Sequence, residues 1–317
     1  MIASKLLVTG ASGFVGGALI AEALARGVPV RAAVRRPDAH SPVERVVVGP
    51  VHGKTDWSKA LQGCGVVVHL ANLAHTPSSI AELERVNVAA TLQLAQQADE
   101  HGVKRLIFLS SIKAIGDESR ERALREDDPP EPTDAYGRAK LNAERGLQAV
   151  SSRTGLRVTV LRPPLVYGPS VKGNFAALLR TVARGYPLPL ASIQNHRSFI
   201  YVGNLVDAIL RCTAPSDSEW RTYHLSDGQP VTTPDLVRAL AVGLGRSARM
   251  FPFPPALLEL LATILGHGST AKRLTRSLEV DDTAIRSELG WHSPFSFDEG
   301  IRSTTQWYID RVRARSG

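Results

Sequence analysis

A chain of 317 residues, 43% of them hydrophobic and 21% charged, can bury a substantial core and is not a disordered segment. The net charge of +8 would suit nucleic acid, anionic lipid or a phosphorylated ligand, but the arginines are spread along the whole chain and the densest group, Arg311, Arg313 and Arg315, reads as a solvated helix end, so no nucleic-acid binding is expected. The start, Met-Ile-Ala-Ser-Lys before an apolar run, leaves no room for a signal peptide, and no apolar stretch reaches the ~18 residues of a spanning helix, so a cytoplasmic protein is expected.

The first predicted elements are a strand, a tight turn and a helix. Leu6 to Thr9 enters a cluster holding Gly10, Gly13 and Gly16, and apolar residues then recur at helical spacing at Ala18, Leu19, Ala21, Leu24 and Ala25. Glycines in such a turn let the backbone approach a dinucleotide pyrophosphate, and the helix N-terminus favours its negative charge. A second strand, Pro29 to Val34, ends in Arg35 and Arg36, with no acidic residue before Asp38. An acid at this place bonds the ribose of NAD, whereas an arginine accommodates the extra phosphate of NADP. A merely exposed arginine pair is the alternative. Val46 to Val48 reads as a third strand and Val66 to Ala71 as a fourth, followed by a polar loop from Asn72 to Pro77. Helical spacing resumes from Ile80 to Asp99, with Asn87 expected to bond neighbouring backbone. Arg105 to Leu109 is a fifth strand running into Ser110 and Ser111. The alternation predicts repeated βαβ units: an α/β, doubly wound parallel sheet covered on both faces.

Ligands of such sheets sit beyond the carboxyl ends of the strands, which places the glycine turn, Ser110 and Ser111 at one crevice. The charged, proline-rich segment from Asp117 to Asp134 is expected to lie over it. A helix from Ala135 to about Arg153 follows, in which Tyr136 and Lys140 lie one turn apart on one face. A tyrosine with an intrinsic pKa near ~10 is a poor base, but a lysine ammonium alongside favours the phenolate. With Ser111 opposite to bond the substrate oxygen, Ser111, Tyr136 and Lys140 make a proton-transfer set for interconverting carbonyl and alcohol. Cys64 and Cys212 lie in apolar contexts without metal-ligand spacing, so buried reduced thiols and no metal site are expected. The apolar stretch from Phe251 to Gly266 holds four prolines or glycines and is expected to be a packed helix or a sticky surface.

These motifs together resemble the extended short-chain dehydrogenase/reductases, the group that includes nucleotide-sugar epimerases, dehydratases and 4-keto reductases. The likeness spans nearly the whole chain. It rests on Gly10-Ala-Ser-Gly13-Phe-Val-Gly16, His69-Leu-Ala-Asn72, Asn87, Ser110-Ser111, Tyr136 to Lys140, Leu161-Arg-Pro-Pro-Leu-Val-Tyr-Gly-Pro169, Arg197-Ser-Phe-Ile-Tyr-Val202 and Leu289-Gly-Trp-His-Ser-Pro294. The resemblance implies a Rossmann-type NAD(P)-binding domain over residues 1–166 plus 198–228 and a smaller α/β substrate lobe over residues 167–197 plus 229–317. Strands from Val158 to Arg162 and from Ser198 to Val202 would return to the large domain. It implies catalytic roles for Ser111, Tyr136 and Lys140. Cofactor contacts would come from Gly10, Ser12, Gly13, Phe14, Val15, Gly16, Arg35, Arg36, Val51, Leu70, Ala71, Asn72 and Pro163, besides Tyr136 and Lys140. Substrate contacts would come from Lys113, Asn174 and Arg197, the last on a diphosphate. Relatives are often homodimers through the helices after the fourth and fifth strands, where Leu83, Val86, Leu92 and Leu94 could serve, although core packing explains some of them.

Three departures narrow the expectation. Val34 stands where NAD-dependent epimerases of the group carry an aspartate, and Arg35 follows, so NADP(H) is expected over NAD(H). Pro50-Val51 replaces a pair that holds adenine, leaving that contact to the backbone or losing it. Ile112-Lys113 replaces the Asp-Glu pair of 4,6-dehydratases, so water elimination lacks its acid and base. The segments around Ser111, Pro163, Asn174 and Phe251 look closest to a bacterial surface-polysaccharide branch. The expected activity is therefore NADPH-dependent reduction of a UDP-4-keto-6-deoxy-(N-acetyl)hexose at C4, in the synthesis of O-antigen precursors. A UDP-hexose or UDP-N-acetylhexosamine 4-epimerase would use the same residues and is the alternative. A small-ketone reductase would not need Asn174 and Arg197, and a non-catalytic NADP-sensing relative would not need Tyr136 and Lys140.

Overall fold

The computed structural model describes residues 5–37, 42–74, 78–214 and 218–316. Asp38, Pro77 and the side chain of Arg315 lie outside them. β1 (Lys5–Thr9) leads through α1 (Phe14–Ala25) to β2 (Val30–Val34) and β3 (Glu44–Val47). A short α2 (Ser58–Leu61) precedes β4 (Cys64–His69), and α3 (Ile80–Leu83) and α4 (Ala90–Glu100) precede β5 (Arg105–Leu109). After these come α5 (Ala135–Thr154), β6 (Arg157–Arg162), β7 (Leu165–Tyr167), α6 (Gly173–Ala183), β8 (Phe199–Tyr201), α7 (Val202–Cys212) and β9 (Trp220–His224).

Seven strands form one parallel sheet in the order β3-β2-β1-β4-β5-β6-β9. The chain builds outward from β1 in one direction, then returns to β4 and builds in the other. That reversal opens a crevice at the carboxyl ends of β1 and β4, the usual ligand position in such sheets. Strand side chains alternate between two faces. Leu6, Val8, Val66, Val68 and Ile107 pack with Leu19 of α1 and with Leu205 and Ile209 of α7. Leu7, Val67, Leu106 and Phe108 pack with Leu94 of α4 and with Ala143 and Leu147 of α5. The sheet is thus covered on both sides, as the βαβ pattern predicts.

The helix expected over residues 80–99 is interrupted: Glu84–Ala89 form a π-helical turn between α3 and α4. The wider turn carries the buried Asn87, whose Oδ1 accepts from Leu73 N at 2.8 Å and whose Nδ2 donates to Leu73 O at 3.2 Å. Asn87 therefore fixes the loop that leaves β4. The segment from Ser198 to Val202 packs Ile200 and Val202 into the apolar cluster of the large sheet and α1, but it is not a strand of that sheet. β8 pairs in parallel with β7 in a separate two-stranded sheet, because β9 takes the edge beside β6.

The rest of the chain forms α8 (Thr233–Gly243), α9 (Pro255–Ile264), α10 (Gly268–Thr275), α11 (Thr283–Leu289) and α12 (Phe297–Ser316). A third apolar cluster joins Tyr167, Phe175 and Leu179 to Leu236, Leu240 and Ile301, and Phe14 at the start of α1 packs against both this cluster and the sheet. α9 contributes no buried residue. Cys64 and Cys212 are free and buried, and burial raises both thiols, that of Cys212 to about 12. Leu83 and Leu94, expected at a homodimer interface, are instead buried within the chain. Leu92 covers Gly146 of α5 so closely that a Cβ there would lie 2.6 Å from it. Of the four residues expected there, Leu83 lies on α3, Val86 in the π turn and Leu92 and Leu94 on α4, with Val86 and Leu92 partly buried. Among the described residues no helix is long and apolar enough to cross a membrane.

Candidate active site

The glycine turn is closed by backbone alone. Gly10 leaves β1 at φ +67°, and a Cβ on it would fall 2.7 Å from Ala71 N and 2.8 Å from the Leu70 carbonyl carbon. A Cβ on Gly16 would lie 2.2 Å from Gly10 O, and one on Gly13 would lie 3.0 Å from the same atom. Gly13 N donates to Gly10 O at 2.9 Å, and Gly13 is the N-cap of α1 with no side chain capping the helix. The first-turn amides of α1 therefore face a space where an anion can bind, and the residues fit the pyrophosphate of NAD(P). Ser12 and Gly13 are exposed on this turn, while Phe14 and Val15 are partly buried behind it.

The reversal point is sealed by a chain of neutral hydrogen bonds. Thr9 and His69 are register partners at the ends of β1 and β4. Thr9 Oγ1 accepts from Leu70 N and Ala71 N, both at 3.2 Å, so its own hydrogen goes to His69 Nδ1 at 2.7 Å. The imidazole proton then sits on Nε2 and is donated to Thr91 Oγ1 at 2.9 Å, which donates in turn to Asn87 O at 2.8 Å. Burial, with Lys140 assisting, pushes His69 down to about 3, so it stays neutral. Asn72 donates from its side chain to Leu70 O at 3.3 Å. Val51 is half-buried against the apolar cluster around α4, and Pro163 is buried, with its carbonyl accepting Ile112 N at 3.0 Å.

Ser111 caps a short 3-10 turn, Ile112–Ala114, that follows β5, and its Oγ accepts from Lys113 N at 3.3 Å. The first turn of α5 lies directly on that turn: a Cβ on Gly137 would meet Lys113 O at 2.3 Å. Glycine at this position is what lets the first turn of α5, which carries Tyr136, rest against the turn that Ser111 caps. Lys140 is buried, donates from Nζ to Leu109 O at 2.8 Å, and lies 4.6 Å from the Phe108 ring centroid and 5.9 Å from that of Tyr136. Burial pushes Lys140 down to about 7, with Glu144 opposing. The structure corrects one expectation here. Lys140 does not favour a resting phenolate, because burial first and Asp134 second raise Tyr136 above its ordinary value. The resting pair is a tyrosine hydroxyl beside a lysine that changes charge at about 7.

Lys113, expected on the substrate, is committed elsewhere. Its ammonium pairs with Asp117 at 3.0 Å and with Asp134, the N-cap of α5. Burial alone would raise the Asp134 carboxyl, but Lys113 and the Gly137 amide together hold it below its usual value. Lys113 therefore anchors the segment from Asp117 to Asp134, and that segment is tied further through Leu124 N to Glu279 O at 2.8 Å and through Glu118 to Arg276 at 2.7 Å. Asn174 is exposed in the first turn of α6. Arg197 is buried, with its backbone paired to Val231 and Leu278 and its Nη1 donating to Arg276 O at 2.8 Å. Burial, then Arg273, lowers it to about 10, and no carboxylate pairs with it among the described residues. Arg35 and Arg36 are exposed just past β2.

Sequence reasoning missed two groups. Glu144, one turn after Lys140 on α5, accepts from Ser110 Oγ and pairs with Arg162 Nη2 at 2.6 Å inside the core. The i, i+4 spacing from Lys140 was a usable signal. Arg273 of α10 acts on both Arg197 and Asp134, and nothing local marks it.

Residues 6–224 match the NAD dependent epimerase/dehydratase family. The chain belongs to that family. As a member it is an NAD(P)-dependent enzyme with a Rossmann-like α/β fold. It is 36% identical over 313 residues to a Vibrio cholerae relative named UDP-glucose 4-epimerase, covering 96% of this chain and 95% of that protein. An Escherichia coli O157:H7 relative, N-acetyl-alpha-D-glucosaminyl-diphospho-ditrans,octacis-undecaprenol 4-epimerase, is 26% identical over 318 residues, with 96% and 95% covered. Among solved structures, MoeE5 in complex with UDP-glucose and NAD superposes with a TM-score of 0.80 at 27% identity, covering 97% of this chain and 99% of that one.

Proposed function

We propose that this family member is a nucleotide-sugar 4-epimerase that oxidises and re-reduces C4 of a UDP-hexose or UDP-N-acetylhexosamine. The observation that carries the reading is Arg197: a buried guanidinium beside Arg273, with no carboxylate in ion-pair contact among the described residues and only Asp117 opposing from further off, gains from added negative charge, and a sugar diphosphate supplies it. The names of the Vibrio cholerae relative and of the MoeE5 complex support a UDP-sugar and NAD(P). When bound at the glycine turn, NAD(P) supplies the acceptor and donor of hydride at C4. Tyr136 exchanges the proton of the C4 oxygen, Ser111 Oγ bonds that oxygen, and Lys140 shares the proton with Tyr136. Elimination of water is not part of the reading, since Ile112 is buried and apolar and Lys113 is bound to Asp117 and Asp134.

A second reading, NADPH-dependent reduction of a UDP-4-keto-6-deoxyhexose at C4, is favoured by Arg35, which is exposed just past β2 where an acidic residue would hold NAD. The same arginine supports NADP(H) over NAD(H). Supplying UDP-glucose or UDP-N-acetylglucosamine with a catalytic amount of each cofactor separates the two. An epimerase gives the galacto sugar by proton NMR with no net change in cofactor absorbance. No galacto product, together with equal consumption of NADPH and a 4-keto-6-deoxy sugar nucleotide when these two are supplied in a parallel incubation, would replace the first reading with the second.

A further inference from the structure

The α9–α10 hairpin turns its apolar side outward. Leu257, Leu260, Leu261 and Ile264 recur at i, i+3, i+4 and i+7, the spacing that normally faces a core. Here they are 43%, 57%, 45% and 71% exposed, and Leu265 just beyond them is 72% exposed. The inward face of the helix is held instead by Leu258 against the third apolar cluster and by Glu259, which accepts from Thr275 Oγ1 at 2.5 Å and pairs with Arg276 at 3.3 Å. Phe251, 43% exposed at the entry to the helix, extends the patch. Four large apolar side chains on so short a helix, with Leu265 and Phe251 at its two ends, exceed the scattered exposure of an ordinary surface.

Among the described residues, the unpaired charges that flank the stripe along the chain are of one sign. Arg249 precedes it, Lys272 and Arg273 follow on α10, and all three are exposed. The one carboxylate between them, Glu259, is taken by Arg276. A two-fold contact between copies of this chain would set these cations against their own equivalents, an arrangement that is unfavourable. A bilayer with anionic headgroups complements both the apolar stripe and its basic flanks. α9 has 10 residues and is about 15 Å long, so it can lie in the headgroup region but not cross the hydrocarbon.

We propose that the α9–α10 hairpin is a peripheral docking element for an anionic lipid membrane surface. α10 runs directly into Arg276, whose carbonyl holds Arg197, so the hairpin is joined through its backbone to this end of the candidate site. The inference stands on the exposed stripe and its charges, and holds whichever C4 reaction the site performs. It is tested by co-sedimentation of the full-length protein with vesicles of equimolar phosphatidylglycerol and phosphatidylethanolamine, and with vesicles of phosphatidylcholine alone. The wild-type protein should partition onto the anionic vesicles and much less onto phosphatidylcholine, and added salt should weaken the binding. Leu260→Glu together with Ile264→Glu should lower partitioning at least about tenfold while turnover of a soluble nucleotide sugar stays unchanged. Wild-type protein that ignores anionic vesicles overturns the proposal, as does a double variant that still binds them. A wild-type oligomer that the double variant dissolves, without vesicle binding, assigns the face to self-association instead.

Discussion

The two ends of the crevice are built from different materials. At the junction of β1 and β4, backbone is pressed on backbone, and the space that Cβ atoms on Gly10 and Gly16 would need is already filled by peptide groups. At the Arg197 end, side chains from distant segments gather around a charge: Arg197 leans on Arg276, Arg276 on Glu118 and Glu259, and Arg273 stands nearby. The first end tolerates no added atom, and its polar network is neutral. The second is built from side chains, and Arg197 at its centre has no ion-pair partner among the described residues. Damage to one should therefore appear in folding and cofactor binding, and damage to the other in substrate binding by an intact protein.

The largest effect is expected between the two ends. Tyr136→Phe should lower kcat by roughly 10²–10⁴-fold with cofactor and nucleotide affinity preserved by calorimetry, because only the proton exchange is lost. At the charged end, Arg197→Ala should raise KM for a UDP-sugar by an amount matching about 1.5–3 kcal/mol, with a smaller change in kcat and a wild-type melting temperature. At the backbone end the pattern should invert. Gly16→Ala should destabilise the protein by about 1–3 kcal/mol and weaken cofactor binding, measured by denaturant titration with and without NAD(P). Equal effects of the two substitutions on KM and on stability would erase the contrast.

The smallest effect is that of pH. Lys140 sits at about 7 and Tyr136 above its ordinary value, so the pair can accept the C4 proton only after it has lost one of its own. kcat/KM for oxidation at C4 should therefore rise as pH passes upward through about 7, and Lys140→Met should remove that limb along with most of the activity. The linked stability has a definite sign. The folded pKa of Lys140 lies below its unfolded value near ~10.4, so the cost of burying its charge is full below about 7 and is relieved as pH rises between the two.

The contrast also explains what the sequence made legible. Gly10, Gly13, Gly16, Tyr136 and Lys140 act through spacings of three or four residues, which a single chain displays openly. Asn87 was readable as a backbone anchor, although the π turn that carries it was not. Arg197 looked like any exposed arginine until the family resemblance singled it out, because its surroundings come from residues about 79 positions away. Lys113 was placed on the substrate by the family resemblance, and its ion pairs with Asp117 and Asp134, 4 and 21 positions away, were not marked by any local spacing. The strand at Phe199–Tyr201 was found, but strand propensity does not name a partner, and β9 had claimed the sheet edge. The exposed stripe of α9 carries the same periodicity as a buried one, and only the structure separates the two.

The account rests on one reaction, reversible removal of the C4 hydrogen within a site organised by Ser111, Tyr136 and Lys140. UDP-glucose carrying deuterium at C4 tests it most directly. Incubated with the enzyme and NAD(P), and followed by NMR and mass spectrometry, the label should appear at C4 of both the gluco and galacto sugars, with none in water and none in released cofactor. Label accumulating in free reduced cofactor, or a galacto product that has lost its deuterium, would contradict it.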